Sequence, residues 1–292
     1  MDLQGNVRMP EDPIVITTGP LVGLGDWAVY STLAKRFHEL GHAVFYDQDN
    51  NARNNEIVEL FQTGNPHLLG PSDRKPNAGY VRQGLFYELA NRFPCGSIEA
   101  MERAHGLPPP YSIAPWASYE PKGYFSDLSQ TVLMDFSSVS SHIAPQGLAE
   151  FMRAMKGKFR GAPFAELKMP KWVSLPPPPI QVESYQVDSI YQYLDMLNAC
   201  RGWIGSEAGG QSLAALVRGE HRVDEYDARP ECSVLITCPT FNDRGYVYAG
   251  IDYRATMFAQ GENSDWHFPP EMTRHVYELQ CALSQELMRA RA

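Results

Sequence analysis

The sequence predicts an α/β protein of two parallel-sheet lobes, and three observations lead there. A strand-loop-helix-strand unit opens the chain, a second alternation begins near residue 131, and a small-residue helix starts abruptly after the apolar run Gly202-Trp203-Ile204. Strands alternating with amphipathic helices build βαβ units, whose right-handed crossovers give a parallel, Rossmann-like sheet. A length of 292 residues suits two domains of about 150 each.

In the first unit, Pro13-Ile14-Val15-Ile16-Thr17-Thr18 is β-rich and closed by Gly19-Pro20, and a loop with Gly23 and Gly25 follows. From Asp26, Val29, Leu33, Phe37 and Leu40 recur at helical spacing, with Gly41 as the terminating residue. His42 to Tyr46 reads as the next strand and Asn54 to Phe61 as a short helix. The glycines at 19, 23 and 25 do not match G-x-G-x-x-G, so a dinucleotide fingerprint is absent. Residues 67 to 125, rich in Pro, Gly and Tyr, read as irregular, with one helix around Ser97 to His105. His67, Tyr80, Arg82, Gln83 and His105 are candidate acceptor contacts there, each with packing as the plainer explanation.

The second lobe begins with the strand Thr131 to Phe136, which leads into Ser137, Ser138, Ser140 and Ser141. A helix from about Pro145 carries Leu148, Met152 and Met155 on one face, Trp172 to Leu175 reads as a strand, and Pro176 to Pro179 as a stiff extended connection. Val187, Ile190, Leu194 and Leu197 mark a further helix, and Ser233 to Cys238 a further strand. Met272, Val276, Leu279, Leu283 and Leu287 form an amphipathic terminal helix.

Composition narrows the function. Apolar content of 43% and charged content of 20% are those of a globular protein. A net charge of −9 disfavours broad electrostatic binding to nucleic acid. The five cysteines are scattered without C-x-x-C spacing, indicating neither a disulfide framework nor a zinc site. No apolar run reaches the roughly 18 residues of a membrane helix. The first residues, with Asp2, Glu11 and Asp12, lack the pattern of an export signal, so a cytoplasmic location is expected.

The stretch Gly205 to Leu216 carries the most chemistry. Gly209 and Gly210 are expected to admit positive φ and close approach of a ligand, at the start of a helix whose amides and dipole attract an anion. Ser206, Glu207, Gln211 and Ser212 crowd the same spot, and a plain connector needs no such set. Such a turn suits a diphosphate, and the hydroxyls of Ser137 and Ser138 at another strand end suit the same ligand. Asp26 lies at a helix start, where it serves either as an N-cap or as a general base. Asp47 and Asp49 form a D-x-D pair, for which a solvated loop is the plainer reading.

Gly25-Asp26 after the first strand, together with Glu207-Ala208-Gly209 and Ser212-Leu213-Ala214-Ala215, resembles the GT-B glycosyltransferases, particularly the heptosyltransferase-like family 9 group. In that family a Gly-Asp after the first strand supplies the catalytic base, and the donor turn reads Asp-Thr-Gly, two residues, then His-Leu-Ala-Ala. Here Glu207 stands for the acid, while Ala208 replaces the threonine and Ser212 the histidine. The resemblance covers about the first 65 residues and the stretch from about 128 to 220.

The resemblance implies an acceptor-side lobe over 1–125, a nucleotide-sugar lobe over 126–270, and a helix over 271–292 crossing between them and packing back on the first lobe. It implies metal-independent transfer of a hexosyl, pentosyl or heptosyl group from a nucleotide diphosphate sugar to a hydroxyl. Asp26 would be the general base, and Gly25, Ser137, Ser138, Ser206, Glu207, Gly209, Gly210, Gln211 and Ser212 would hold the donor, with no further cofactor. The acceptor extends from glycans to a phage-type hydroxymethyl nucleobase. A metal-dependent transferase using Asp47 and Asp49, and a nucleotide-binding protein without chemistry, are the competing classes.

Overall fold

The computed structural model describes residues 13–16, 23–47, 55–72, 80–81, 97–122, 125–136, 145–168, 181–206, 208–218, 230–236, 248 and 251–255. Contacts divide the chain into two compact units, Met1–Tyr119 with Tyr246–Tyr248, and Glu120–Gly245 with Ala249–Ala292. The expected terminal helix, the strand at 172–175 and the proline connection at 176–179 lie outside the described residues.

The first unit holds a four-stranded parallel sheet of β1 (Ile14–Ile16), β2 (Val44–Asp47), β3 (Pro71–Ser72) and β4 (Tyr80–Val81), in the order β3-β2-β1-β4. Between β1 and β2 runs α1 (Leu24–Glu39), whose Trp27, Val29, Tyr30, Leu33 and Phe37 are buried. It stops where Gly41 takes a φ of 89°, letting the His42 amide donate to the Phe37 carbonyl at 3.1 Å, a left-handed cap that side chains tolerate poorly. The helices α2 (Asn55–Phe61) and α3 (Ser97–Ala104) complete the described frame.

A buried ion pair ties α1 to α3. Arg36 donates to Glu102 Oε1 at 3.0 Å and also to the carbonyls of Pro108 and Pro110, while the Ser112 amide donates to Glu102 Oε2 at 2.6 Å. Burial pushes the Glu102 carboxyl up to about 7, against the lowering effects of the Ser112 amide and the Arg36 charge.

The second unit holds a six-stranded parallel sheet, with β5 (Val132–Asp135), β6 (Phe164–Lys168), β7 (Glu183–Gln186), β8 (Gly202–Ser206), β9 (Glu231–Ile236) and β10 (Asp252–Ala255) ordered β10-β9-β8-β5-β6-β7. Counted within the unit, this is the doubly wound 3-2-1-4-5-6 order, and the chain changes winding direction between β5 and β8. The described α-helices are α4 (Pro145–Lys158), α5 (Ile190–Ala199) and α6 (Gly209–Arg218), and a 3-10 turn spans Ser126–Gln130.

Both strands at the reversal are wholly buried, as expected of strands covered on two faces. On one face Leu148, Phe151, Met152 and Met155 of α4 pack with Val132, Met134, Phe136, Phe159 and Ile204. Each such side chain contributes roughly 1.5–3 kcal/mol relative to exposure. The Lys158 ammonium, at the end of α4, donates to Ser233 Oγ at 3.0 Å and Asp252 Oδ2 at 3.1 Å, fastening the helix to β9 and β10.

Several expected boundaries move. The strand at Gly202 runs on through Gly205 and Ser206, so these residues belong to β8 rather than to a turn. The helix expected from Val187 starts at Ile190, because Ser189 caps it by accepting from the Gln192 amide at 3.0 Å. Strands β3, β4, β6, β7 and β10 correspond to no strand expected from the sequence.

Candidate functional site

Open parallel sheets leave a crevice beyond the carboxyl ends of the two strands where winding reverses. In the second unit those ends are Asp135 of β5, in register with Gly205, and Ser206 of β8. Ser137 and Ser138 follow β5 in sequence and Glu207 follows β8, but all three lie outside the described residues. After Ala208 comes α6, and its first turn contains Gly209, Gly210, Gln211 and Ser212. The structure therefore brings Ser206, Gly209, Gly210, Gln211 and Ser212 to one strand-helix junction. Gly25 instead stands beside Asp26 in α1 of the first unit.

The two glycines do not act as the sequence suggests. Neither Gly209 nor Gly210 has a positive φ; both are ordinary helical residues. Gly210 is required by packing, since a Cβ there would lie 2.7 Å from the Tyr193 hydroxyl oxygen and 2.8 Å from Asp135 Oδ2. The close approach at Gly210 is to the protein's own interior.

That interior is polar. Tyr193 of α5 donates to Asp135 Oδ2 at 2.6 Å, and Trp203 Nε1 donates to the Tyr193 hydroxyl at 3.0 Å. Asp135 is 2% exposed and Tyr193 and Trp203 are fully buried. Burial, followed by the Asp135 charge, raises the Tyr193 hydroxyl well above the usual phenol range, which keeps it a proton donor. No element of this chain of three was singled out from sequence, although an aspartate ending an apolar strand was available as a signal.

Ser206 is different. Its hydroxyl oxygen is buried, and the residue is 1% exposed, yet among the described residues it has no hydrogen-bond partner. Burying an unpaired hydroxyl costs about 1–3 kcal/mol, so a group so placed is suited to a partner that arrives from outside. Gln211 and Ser212 are buried as well.

In the first unit, Asp26 is the third residue of α1, not its N-cap. The cap is Gly23, whose amide donates to Asp26 Oδ2 at 2.9 Å. This is the carboxylate half of a capping box, and glycine has no side chain with which to return the other half. Asp26 keeps partial exposure, and it lies close enough to Tyr30 to add to the burial that raises that phenol. By topology the helix start follows β1, and β1 and β4 are the strands between which the first sheet reverses.

The remaining candidates separate. His105 is buried, its Nδ1 is 2.8 Å from the Met101 carbonyl, and its ring meets Phe37 edge-on, so it packs α3. His67 lies between the rings of His38 and Trp116. Tyr80 is in β4, Arg82 and Gln83 are outside the described residues, and Asp47 ends β2 while Asp49 is not described. Among the described residues no helix is long and apolar enough to cross a membrane.

No protein-family model matches the chain, and no curated protein matches it in sequence. Solved structures do match. The iron-containing dodecameric glycosyltransferase TibC from enterotoxigenic E. coli is similar at TM-score 0.54 and 15% identity, over 98% of this chain and 78% of that one. The heptosyltransferase TibC in complex with ADP-D-beta-D-heptose matches at TM-score 0.52 and 13% identity, with coverage of 98% and 78%. A glycosyl transferase of family 9 from Veillonella parvula matches at TM-score 0.50 and 9% identity, over 94% of this chain and 98% of that one. As for the iron of that first protein, among the described residues here no three His, Cys, Asp or Glu side chains gather as a metal cluster, and burial raises the Cys200 thiol well above its usual range. The α/β architecture, its parallel sheets and these likenesses give the chain the fold of the GT-B glycosyltransferases.

Proposed function

We propose that the protein transfers a glycosyl group from a nucleotide diphosphate sugar to a hydroxyl-bearing acceptor. The observation that carries this is the winding reversal in the second unit, where the buried Ser206 hydroxyl, without a partner among the described residues, lies beside the first turn of α6. Helix-start amides and the dipole stabilise a diphosphate there, and Ser206, Gln211 and Ser212 add side-chain hydrogen bonding. Ser137, Ser138 and Glu207 belong to the same set by sequence position, and Gly25 accompanies the base.

In the reaction, the acceptor oxygen attacks the anomeric carbon as the bond from that carbon to the diphosphate oxygen breaks. Asp26 takes the acceptor's proton, and the helix-end donors take up the charge of the departing diphosphate. A nucleotide-sugar donor is consistent with the ADP-heptose bound in one similar structure, which makes heptosyl transfer the first to assay, followed by hexosyl and pentosyl transfer. The acceptor classes are glycans and hydroxymethyl nucleobases.

The test is Asp26→Asn, assayed with ADP-heptose and other nucleotide sugars. The amide oxygen still accepts from the Gly23 amide, so melting temperature stays near wild type. It cannot accept the acceptor's proton, so kcat falls by roughly 100-fold to 10,000-fold at unchanged donor affinity. A fully active variant removes Asp26 as the base. Turnover lost in EDTA and restored by manganese would favour Asp47 and Asp49, and nucleotide binding without transfer would favour the non-catalytic reading.

A further inference from the structure

We propose that Asp135, Tyr193 and Trp203 form a positioning device that seats the first turn of α6, and so sets where the amides of Gly209 and Gly210 point at a nucleoside diphosphate. The inference rests on the donor-site reading above and adds residues that touch no ligand in it.

Gly210 is buried, and its missing Cβ would collide with both Tyr193 Oη and Asp135 Oδ2. The start of α6 therefore rests directly on the two oxygens, and their positions determine how deeply the helix end sits. Those positions are fixed in turn from three elements. Asp135 ends β5, Trp203 lies in β8, and Tyr193 projects from α5, joined by bonds of 2.6 Å and 3.0 Å. Each atom in this path is buried, so water does not substitute for a lost partner without rearrangement.

The chemistry of the seat matters beyond its shape. A carboxylate beneath a helix start attracts the positive end of the helix dipole and holds the turn down. Tyr193 remains a donor because burial keeps its phenol protonated, so the direction of the chain is fixed from Trp203 to Tyr193 to Asp135. Preorganised amides stabilise an anion only if they do not move to meet it. A device that restrains the first turn is thus expected to act on diphosphate affinity in excess of its effect on stability.

The test uses the full chain and a panel of ADP, GDP and UDP, with the tightest wild-type binder carried forward in calorimetry. Tyr193→Phe keeps the ring and removes the hydroxyl, while Leu197→Ala, buried in the same helix, damages packing without removing a hydrogen-bonding group of the seat. All variants are compared at a temperature where circular dichroism shows each of them folded. The proposal expects Tyr193→Phe to weaken diphosphate binding about tenfold, as loss of one hydrogen bond to a charged group permits, and Leu197→Ala to leave it unchanged.

Gly210→Ala is the second arm. Its methyl group meets the Tyr193 hydroxyl, so it weakens binding alone, and part of the loss is recovered when Tyr193→Phe is added, a non-additivity that independent sites do not show. Equal losses in Tyr193→Phe and Leu197→Ala, or strict additivity of Gly210→Ala with Tyr193→Phe, would overturn the positioning role while the donor site stands. A wild-type protein that binds none of the three diphosphates overturns the donor site and this inference with it.

Discussion

A hydroxyl buried without a partner raises the free energy of the folded state, and Ser206 at the end of β8 carries one that has no partner among the described residues. Replacing it with alanine removes the unpaired group and leaves a similar volume. Ser206→Ala is therefore expected to melt no lower than wild type in the absence of ligand, and up to about 1 kcal/mol more stably. The same change is expected to weaken nucleoside diphosphate binding several-fold, because it deletes the donor that the ligand would satisfy. Melting curves with and without ADP, GDP or UDP check both halves. A variant that loses stability without ligand would mean that the hydroxyl is satisfied in the protein's own interior.

At the scale of elements, α5 determines how Tyr193 enters the site, and its start is well specified. Ser189 accepts from the Gln192 amide at 3.0 Å while the Gln192 side chain accepts from the Asp188 amide at 2.8 Å, so the helix entry is tied from both sides. Ser189→Ala should cost about 1 kcal/mol, and Ser189→Asp should restore most of it. Urea unfolding midpoints of the two variants measure this.

The elements legible in the sequence were those whose burial is one-sided or complete. Thus Val29, Leu33 and Phe37 announced α1, and the apolar runs at 132–134 and 203–204 announced β5 and β8. The edge strand β7, Glu183–Gln186, carries polar residues and a mostly exposed pattern, so it lacks the signal that buried strands emit. β6 is interrupted by charge at Glu166 and Lys168, and β3 and β4 span two residues each. At the site, Ser206 and the α6 start were legible because polar and glycine residues there break an apolar pattern. The Asp135, Tyr193 and Trp203 chain was not, since their meeting depends on β5 pairing β8 and on α5 packing against both, which no local window contains.

For the molecule as a whole, stability against pH should bear the mark of Glu102. Its carboxyl, raised from an ordinary 4.5 to about 7 by burial, binds a proton more tightly in the folded chain than in the unfolded one. That contribution is fully present below about pH 4.5 and is lost as pH rises through about 7, since unfolding then releases a proton. Melting temperature should fall across this window, and Glu102→Gln, which has nothing to titrate, should flatten the slope. Identical slopes in the two proteins would locate the proton uptake elsewhere.

The pairing of β5 with β8 also has a bearing on how the chain is made. Val132 and Gly202 are neighbours in the sheet yet about 70 residues apart in sequence, so during synthesis one edge of β5 stays bare until β8 has emerged. Val132, Leu133 and Met134, all fully buried in the finished protein, wait exposed for that interval. Nascent chains halted before residue 202 should accordingly be held by chaperones or aggregate, and full-length chains, in which β9 and β10 cover the other edge of β8, should not.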